Sequence, residues 1–466
     1  MSRAKEESKF LLTYKFRAYP SALQEYKLEN WLFALCWLYN HALEERKRVW
    51  KEERRTVKYS EQQNNLPKLK KKEPILKLVH SQVLQDTLRR VDKAFQKFFQ
   101  DLERKKKGEK VKVGYPKKKP IAKYKSLTFS QVWMKQKGKL VPIIKLEKKN
   151  NRFAYLHLPK IGKLKIRLHR EIDWTRAKTV TVKREPSGNW YVCISVEVDL
   201  DQILKEAEER VERKIKTVGI DLGVKHLAVT SKKDYIKHPK FIQKLEKRLK
   251  REQKKLSRKE KGSRNFEKQK KKVAKIHEKI KNARRDFLHK LSRKLVGRYH
   301  LISFEDLDIP GLVENNPLAK LILDAGWGTL ITFTTYKAVM AGVKVVKVDA
   351  AYTTQECSYC GLKVPKTLAD RMHKCPRCGI ELDRDYNASI VIDKRGIEKE
   401  GLTHLTGGRV GATRTYACGE GTGGVSSKGE ISYPSLKQES PCGSSGWSNS
   451  RQRVVFLPEA PSVRAE

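Results

Sequence analysis

The sequence predicts a multidomain α+β protein in which an N-terminal β-barrel carries an inserted helical domain and an α/β core carries an inserted cysteine-rich module. Three observations lead to this fold class. Segments with period-two alternation fill residues 126–198, two buried strand-like segments each end in a carboxylate, and two Cys-x-x-Cys pairs follow them. A chain of 466 residues is long enough for two or three domains.

The N-terminal part of the chain predicts a barrel interrupted by helices. Residues 1–19 contain its first strand, FLLTYKFR, and the remaining strands lie in residues 121–200. Residues 20–120 form the inserted helical domain, with helices over residues 21–53 and 81–105 that bury apolar faces against each other. We therefore expect the first strand to belong to the barrel.

Two details of the helical domain are also predicted. The lysine-rich segments 64–74 and 103–120 contain Pro and Gly, which favours exposed loops suited to phosphate contact. On the second helix, Phe95, Phe98 and Phe99 extend the apolar stripe. We predict that these rings belong to the core rather than to a platform for base stacking.

The α/β core is predicted over residues 214–350 and 381–398. Its first buried strand ends at Asp221, and a second ends at Glu305 after two long basic helices over residues 239–259 and 265–296. Residues 199–213 read as a charged linker. Residues 399–466 become rich in Gly, Ser and Thr, which predicts a mostly disordered tail.

Residues 351–380 contain two Cys-x-x-Cys pairs that predict a zinc ribbon. A two-residue gap lets one tight turn direct two thiolates at the same tetrahedral ion. Disulfides would need an oxidising compartment, which nothing in the chain indicates. His373 could replace one thiolate, but four thiolates already complete the shell. The predicted ligands are Cys357, Cys360, Cys375 and Cys378.

Three carboxylates stand at places where a rigid metal site can be built. Asp221 and Glu305 end buried strands, and Asp385 lies where a short helix begins. Two Mg²⁺ ions held by such carboxylates can hydrolyse a phosphodiester, and the order of the elements is that of an RNase H-like nuclease core. Asp306 and Asp383 are alternative ligands by periodicity, and an acidic residue at a helix start is often only a cap.

The charge balance indicates a polyanionic partner. Lys and Arg number 103 against 53 Asp and Glu, for a formal net charge of +50. Nucleic acid is the expected partner, because neutralising phosphates releases counterions. An anionic membrane or a role as a basic protein without chemistry fits charge alone. No apolar signal or span is visible, so we expect a soluble cytoplasmic protein associated with nucleic acid and not with membrane.

The motifs GIDLGVKHLAVT, SFEDLDI and DRDYNASI resemble the three RuvC motifs of the TnpB family, RNA-guided endonucleases of bacterial and archaeal insertion sequences. The segments YTTQECSYCG and CPRCG are similar to that family's target-nucleic-acid-binding zinc ribbon. The resemblance implies a wedge barrel, a helical recognition domain and a RuvC-like core. It also implies that Asp221, Glu305 and Asp385 are catalytic ligands of two Mg²⁺ ions.

The resemblance further implies partners and an activity. A monomer would bind one guide RNA transcribed from the element's end and cleave double-stranded target DNA beside a short adjacent motif. Three other readings stay open at this point. They are a compact type V CRISPR effector, a non-cleaving RNA-guided DNA-binding regulator and a structural zinc-ribbon RNA binder.

Overall fold

The computed structural model describes residues 9–109, 111–199, 215–314, 317–367, 370–402 and 453–457. These residues form two compact units, one containing the described residues up to Asp199 together with 453–457, and the other containing residues 215–402. The predicted linker at 199–213 lies outside the described residues except for Asp199, and most of the predicted tail also lies outside them. No helix in the described ranges has the length and apolar composition of a membrane span.

The first unit contains an eight-stranded sheet and a separate two-stranded hairpin. In the sequence, the hairpin lies between two strands of that sheet. The N-terminal strand β1 pairs antiparallel with β9 from Lys9 opposite Asp199 to Ala18 opposite Trp190. The strands are β1 (Lys9–Tyr19), β2 (Ser126–Phe129), β3 (Trp133–Gln136), β4 (Lys139–Pro142), β5 (Lys145–Lys148), β6 (Phe153–Leu158), β7 (Gly162–Arg167), β8 (Ala177–Arg184) and β9 (Trp190–Asp199).

The large sheet is curled, and its hydrogen-bonded path has two ends. The strand order is β2-β8-β9-β1-β7-β6-β5, so β2 and β5 are edges among the described strands. Alternation places Ala154, Leu156 and Leu158 of β6 in the core, as period-two patterning predicts. Near the C-terminus, Arg453–Leu457 forms a further strand, β10, that pairs in parallel with β1.

Three helices lie between β1 and β2 in sequence: α1 (Ala22–Glu53), α2 (Tyr59–Lys72) and α3 (Ser81–Lys106). Ser21 begins α1 with a reciprocal capping box, because its hydroxyl accepts from the Gln24 amide while the Gln24 side chain accepts from the Ser21 amide. The buried faces of α1 and α3 contribute to one core with the sheet.

Helix α2 corrects the prediction that residues 64–74 form an exposed loop, although Pro67 lies inside it. Lysine is a good helix former, so the basic run does not oppose helix formation. The side chain of Gln62 donates to the Ala42 carbonyl over 3.0 Å and accepts from Arg46 Nε over 2.9 Å, both on α1. Burial of Leu66 completes this anchor.

The aromatic end of α3 corrects a second prediction in part. Its buried residues stop at Val91. Beyond that point Phe95 and Phe98 are half-buried against Tyr115, and Phe99 is 49% exposed. Phe95 packs against the core as predicted, but the apolar face of the helix continues beyond it to the exposed Phe99.

The second unit is built on a five-stranded sheet of order β13-β12-β11-β14-β15. Strands β11, β14 and β15 are parallel, with β15 at one edge of the sheet, whereas β12 and β13 add an antiparallel edge on the other side. All five residues of β11 and of β14 are buried, as expected for central parallel strands. The strands are β11 (Thr217–Asp221), β12 (His226–Thr230), β13 (Tyr235–Lys237), β14 (Leu301–Glu305) and β15 (Lys344–Val348).

Helices join these strands and pack on the sheet. A basic hairpin of α4 (Phe241–Ser257) and α5 (Arg264–Val296) connects β13 to β14, and Ser263 caps α5. The remaining helices are α6 (Ile309–Val313), α7 (Ala319–Ala325), α8 (Trp327–Met340) and α9 (Arg384–Lys399). Before α9 the cysteine-rich module contains a small ladder of β16 (Met372–Lys374) and β17 (Glu381–Asp383).

Helix α9 approaches the sheet at two glycines. A Cβ atom on Gly219 of β11 would collide with the backbone of Ser389 and Asp393, and one on Gly396 of α9 would collide with the Ser303 side chain. Glycine is therefore required at both positions for this close contact. The approach fixes the distance between the start of α9 and the ends of β11 and β14.

We predict that Gly219→Ala lowers the free energy of unfolding by about 2–3 kcal/mol, because overpacking here meets backbone that cannot move aside. Urea unfolding measures the change. Gly328→Ala is the matched control in the same unit, since a Cβ there meets only the end of the Ile309 side chain at 3.4 Å. Equal midpoints for Gly219→Ala and the wild type would contradict the close contact.

Candidate functional site

The three predicted carboxylates come from two strand ends and one helix start. Asp221 is the last residue of β11 and Glu305 the last residue of β14, and these adjacent parallel strands pair up to Ile220 and Phe304. Asp385 lies in the first turn of α9. The side chains of Asp221 and Glu305 are only 7% and 6% exposed. The fold thus directs all three groups to one edge of the sheet.

Asp221 lies within reach of the charges of Glu305 and Asp385. The pKa of Asp221 lies well above its usual range because the side chain is buried and because the charges of Glu305 and Asp385 oppose ionisation, with Arg384 acting in the other direction. Burial also raises the pKa of Glu305, against the hydrogen bond from Thr353. Buried like charges of this kind are expensive to ionise without a cation.

Two contacts hold the carboxylates in place. The guanidinium of Arg384 donates to Asp385 Oδ1 from Nε and Nη2, each over 3.3 Å. The hydroxyl of Thr353 donates to Glu305 Oε1. Neither Arg384 nor Thr353 was singled out from the sequence. A basic residue inside an acidic motif could have signalled Arg384, whereas nothing local signals Thr353.

The alternative residues Asp306 and Asp383 have other contacts. Asp306 is exposed and pairs with Lys347 over 2.8 Å. Asp383 is the N-cap of α9, and its Oδ1 accepts from the backbone amides of Asp385 and Tyr386, each over 3.1 Å. Asp383 is therefore the acidic residue that only caps the helix. The Asp385 carboxylate has no capping role.

The four cysteines come together as a tight set. Their four sulfur atoms all lie within 4.8 Å of one another. Among the described residues, this is the cluster of three or more potential metal ligands. The Sγ atoms of Cys357 and Cys378 are 3.6 Å apart, and those of Cys360 and Cys375 are 3.5 Å apart. Tetrahedral zinc with bonds of about 2.3 Å needs sulfurs ~3.8 Å apart, so the set fits Zn²⁺.

The turns behind the thiols show why each pair is followed by glycine. Gly361 and Gly379 have φ angles of 75° and 70°, which side chains rarely adopt. His373 is buried but does not belong to the cysteine set, and its Nδ1 accepts from Lys366. The three carboxylates do not form such a compact group. They interact electrostatically, but their oxygen atoms do not surround a single point as the four sulfurs do.

The basic hairpin presents its charge to solvent. One apolar seam joins α4 and α5 through Leu249, Val273, Ile276 and Ile280. Lys254, Lys271 and Lys272 are exposed and have no acidic partner among the described residues, whereas Lys270 pairs with Glu267. The seam accounts for the hairpin, and the outer lysines remain available to an anion.

Family profiles match three segments of the chain. Residues 10–55 match a helix-turn-helix domain of OrfB_IS605 proteins, residues 191–316 match the OrfB_IS605 "Probable transposase" profile, and residues 327–392 match the Cas12f1-like TNB domain. In the structure, residues 10–55 contain β1 and the single long helix α1.

Two relatives that match most of the chain are both named as RNA-guided DNA endonucleases, and a third matches part of it. A Streptomyces pristinaespiralis protein named as an RNA-guided DNA endonuclease is 31% identical over 434 residues, covering 91% of this chain and 95% of the relative. InsQ of Escherichia coli, named in the same way, is 28% identical over 82% of this chain and 91% of its own length. A Cas12f1 endodeoxyribonuclease of Sulfoacidibacillus thermotolerans is 33% identical over 28% of this chain and 31% of the relative.

A solved structure shares the fold. The Cas12f1 chain in a cryo-EM structure of a Cas12f1–sgRNA–target DNA complex aligns with a TM-score of 0.52 at 14% identity, covering 80% of this chain and 82% of that one. The chain therefore shares the fold of a Cas12f1 protein and contains a cluster of four cysteines. The chain belongs to the TnpB family of RNA-guided DNA endonucleases, as the whole-length relative shows and as the motifs predicted.

We predict that Asp221→Asn stabilises the protein at pH 8, with zinc retained and no other divalent cation added, and that this gain shrinks toward pH 4. A carboxyl with a raised folded-state pKa stabilises the fold while protonated. That contribution is complete below the unfolded pKa and is lost as the pH rises through the folded one. Each pKa unit corresponds to about 1.4 kcal/mol.

Urea unfolding at a series of pH values measures this difference. Asp306→Asn is the matched control, because Asp306 is exposed. If the stability curves of Asp221→Asn and the wild type run parallel from pH 4 to 8, the pKa of Asp221 is not raised in the folded protein.

Proposed function

We propose that this protein is an RNA-guided DNA endonuclease that cleaves double-stranded DNA beside a short adjacent motif at a single RuvC-type site. The observation that carries the proposal is the convergence of Asp221, Glu305 and Asp385 on one buried edge of the sheet. Full-length likeness to a relative named as such an endonuclease supports it.

The carboxylate cluster suits divalent cations that prefer oxygen ligands. Burial raises the pKa of Asp221 and of Glu305, and the charges of Glu305 and Asp385 raise that of Asp221 further, as expected where a cation normally balances the charge. Asp221, Glu305 and Asp385 would hold two Mg²⁺ ions. When bound, such ions activate a water molecule as nucleophile and stabilise the leaving oxyanion.

The protein's own groups prepare this site. The strand ends hold Asp221 and Glu305 rigidly, and Thr353 fixes one oxygen of Glu305. Arg384 lies beside Asp385 and lowers the repulsion felt by Asp221. Low exposure at the sheet edge strengthens every charge interaction there. Positioning and charge are thus supplied by the fold before substrate arrives.

The zinc ribbon and the domain plan complete the proposal. Cys357, Cys360, Cys375 and Cys378 would bind a structural Zn²⁺. We propose that residues 1–19 and 121–200 form the wedge domain, 20–120 the recognition domain, and 214–350 with 381–398 the RuvC-like core. The ribbon occupies residues 351–380.

A guide RNA and a DNA target explain the charge. A net charge of +50 suits a long phosphate backbone, and base pairing would deliver sequence specificity while the protein holds the heteroduplex. We propose one chain per guide RNA. Sequencing the RNA that copurifies with the protein tests this directly, and an unrelated pool of cellular RNA would count against guided activity.

Two rivals are separated by specific observations. A compact type V CRISPR effector would copurify with RNA from a repeat array, whereas an insertion-sequence protein would copurify with RNA from the element's end. The whole-length relatives favour the second. A non-cleaving regulator has no need of the acidic set, and all three carboxylates are present and buried or half-buried.

We predict that Asp221→Ala, Glu305→Ala, Asp385→Ala and the triple variant each lower target cleavage by about three orders of magnitude or more, while guided DNA binding persists. Residues that act as a unit are strongly non-additive, so the single and triple variants should be alike. Plasmid cleavage and binding by filter retention measure the two properties.

Two neighbouring acids are controls for this series. Asp306→Ala should cleave at nearly the wild-type rate. Asp383→Ala should retain cleavage but lose about 1 kcal/mol of stability, because it removes the cap of α9. The assignment is wrong if Asp385→Ala cleaves normally or if Asp383→Ala is as inactive as the triple variant.

We predict that replacing Lys254, Lys271 and Lys272 together by Gln weakens binding to all nucleic-acid sequences alike. The slope of log affinity against log salt should fall by about one unit for each lysine that contacts a phosphate. Binding titrations at several salt concentrations measure it. Glu267→Gln on the same hairpin removes negative charge and should not weaken binding. A loss confined to one DNA sequence would place these lysines at base edges.

A further inference from the structure

The turn that contains the first cysteine pair is hydrogen-bonded to the helix that carries Asp385. Asn387, two residues further along α9, is completely buried. Its Nδ2 donates to the Glu356 carbonyl over 2.7 Å, and its Oδ1 accepts from the Ser358 amide over 2.9 Å. These two partners lie on either side of Cys357. One amide side chain therefore joins a thiol turn to the start of α9.

The same segment reaches Glu305. Thr353 is 3% exposed, and its hydroxyl lies between Glu305 Oε1 and the Ala350 carbonyl, which is 3.2 Å away. A turn then links this residue to the cysteine pair, because the Glu356 amide donates to the Tyr352 carbonyl over 2.9 Å. Residues 353–358 thus touch one carboxylate directly and the helix of another.

A second side chain of α9 holds the chain on both sides of Thr353. Arg395 Nη1 donates to the carbonyls of Asp349 and Ala351 over 2.8 and 2.9 Å, and its Nη2 donates to Glu356 Oε2 over 2.6 Å. The segment is therefore held to α9 along its length. It cannot shift without moving the Thr353 hydroxyl relative to Glu305.

We propose that the first cysteine turn positions the carboxylate site, with Thr353 orienting Glu305 and Asn387 holding the helix of Asp385, so that an intact ribbon sets the affinity of the carboxylates for divalent cations. This inference rests on the proposed function of the carboxylates. Thr353 and Asn387 are positioning residues. Groups that orient metal ligands commonly change metal affinity by about 10- to 100-fold when they are removed.

Thr353→Val removes the hydroxyl and keeps the shape of the side chain. We expect Mn²⁺ to bind about 10- to 100-fold more weakly, and the Mg²⁺ concentration for half-maximal cleavage to rise by a similar factor. Thr353→Ser should restore affinity to within about threefold of the wild type, since it keeps the donor. Thr354→Val, one residue along, is the matched control and should bind Mn²⁺ normally.

Cys375→Ser tests the ribbon itself, because it changes no atom at the carboxylates. It should lose zinc and weaken Mn²⁺ binding together. Ser389→Ala is its control on α9, since among the described residues the Ser389 hydroxyl bonds only the Tyr386 carbonyl of its own helix. Zinc content and the unfolding midpoint are measured for every variant, so that a folding defect is recognised.

Mn²⁺ binding is followed by electron paramagnetic resonance on protein with its copurified RNA, and Glu305→Gln supplies the baseline for ions held elsewhere. If Glu305→Gln lacks the site while Thr353→Val and Cys375→Ser bind Mn²⁺ like the wild type, the inference is overturned and the proposed function stands. If Glu305→Gln itself binds normally, the carboxylate site fails and the inference fails with it. Lower stability of Thr353→Val with unchanged Mn²⁺ affinity would show a purely structural role and also overturn it.

Discussion

Buried negative charge at one edge of the sheet, where Glu305 and Asp385 repel Asp221, is the constraint on which the second unit depends. Water cannot screen Asp221 and Glu305 at the sheet edge, and the pKa of each is raised as a result. The fold counters this repulsion with fixed partners, a guanidinium beside Asp385 and a hydroxyl on Glu305. The two glycine contacts keep α9 against the sheet, so the groups cannot relieve the repulsion by moving apart.

The cysteine-rich module has little apolar surface to bury. Apart from the thiols, its buried side chains are polar, with Thr353, Ser358 and His373 among them. Its ladder has strands of three residues, and Tyr359 and Met372 are exposed. Apolar burial of this extent cannot order a segment, so metal binding is the expected source of its folding free energy.

In this unit negative charge is buried at one place, whereas positive charge is spread over the surface. Negative charge is concentrated at a buried edge, where a few fixed groups control it. Positive charge is spread over the exposed faces of α4 and α5, which are joined by a narrow apolar seam and by hydrogen bonds from Gln269 to Glu252. Lysines repel one another along such a hairpin, and a bound phosphate backbone removes that repulsion. This separation suits the proposed function, in which a polyanion binds over a broad surface and small cations bind at one place.

Local patterns in the sequence determined much of this architecture. Strand alternation, the carboxylates that end β11 and β14, the spacing of the cysteine pairs and the family itself were readable because each depends on neighbouring residues or on an ordered set of motifs. Only the tertiary structure decided that residues 59–72 are helical and that Phe99 is exposed. Both depend on what the rest of the chain places against them. Thr353 and Asn387 show the limit most clearly, since their partners lie 48 residues away for Thr353 and 29 to 31 residues away for Asn387. A hydroxyl or an amide has no periodicity to mark it, so its role exists only once distant segments have packed together.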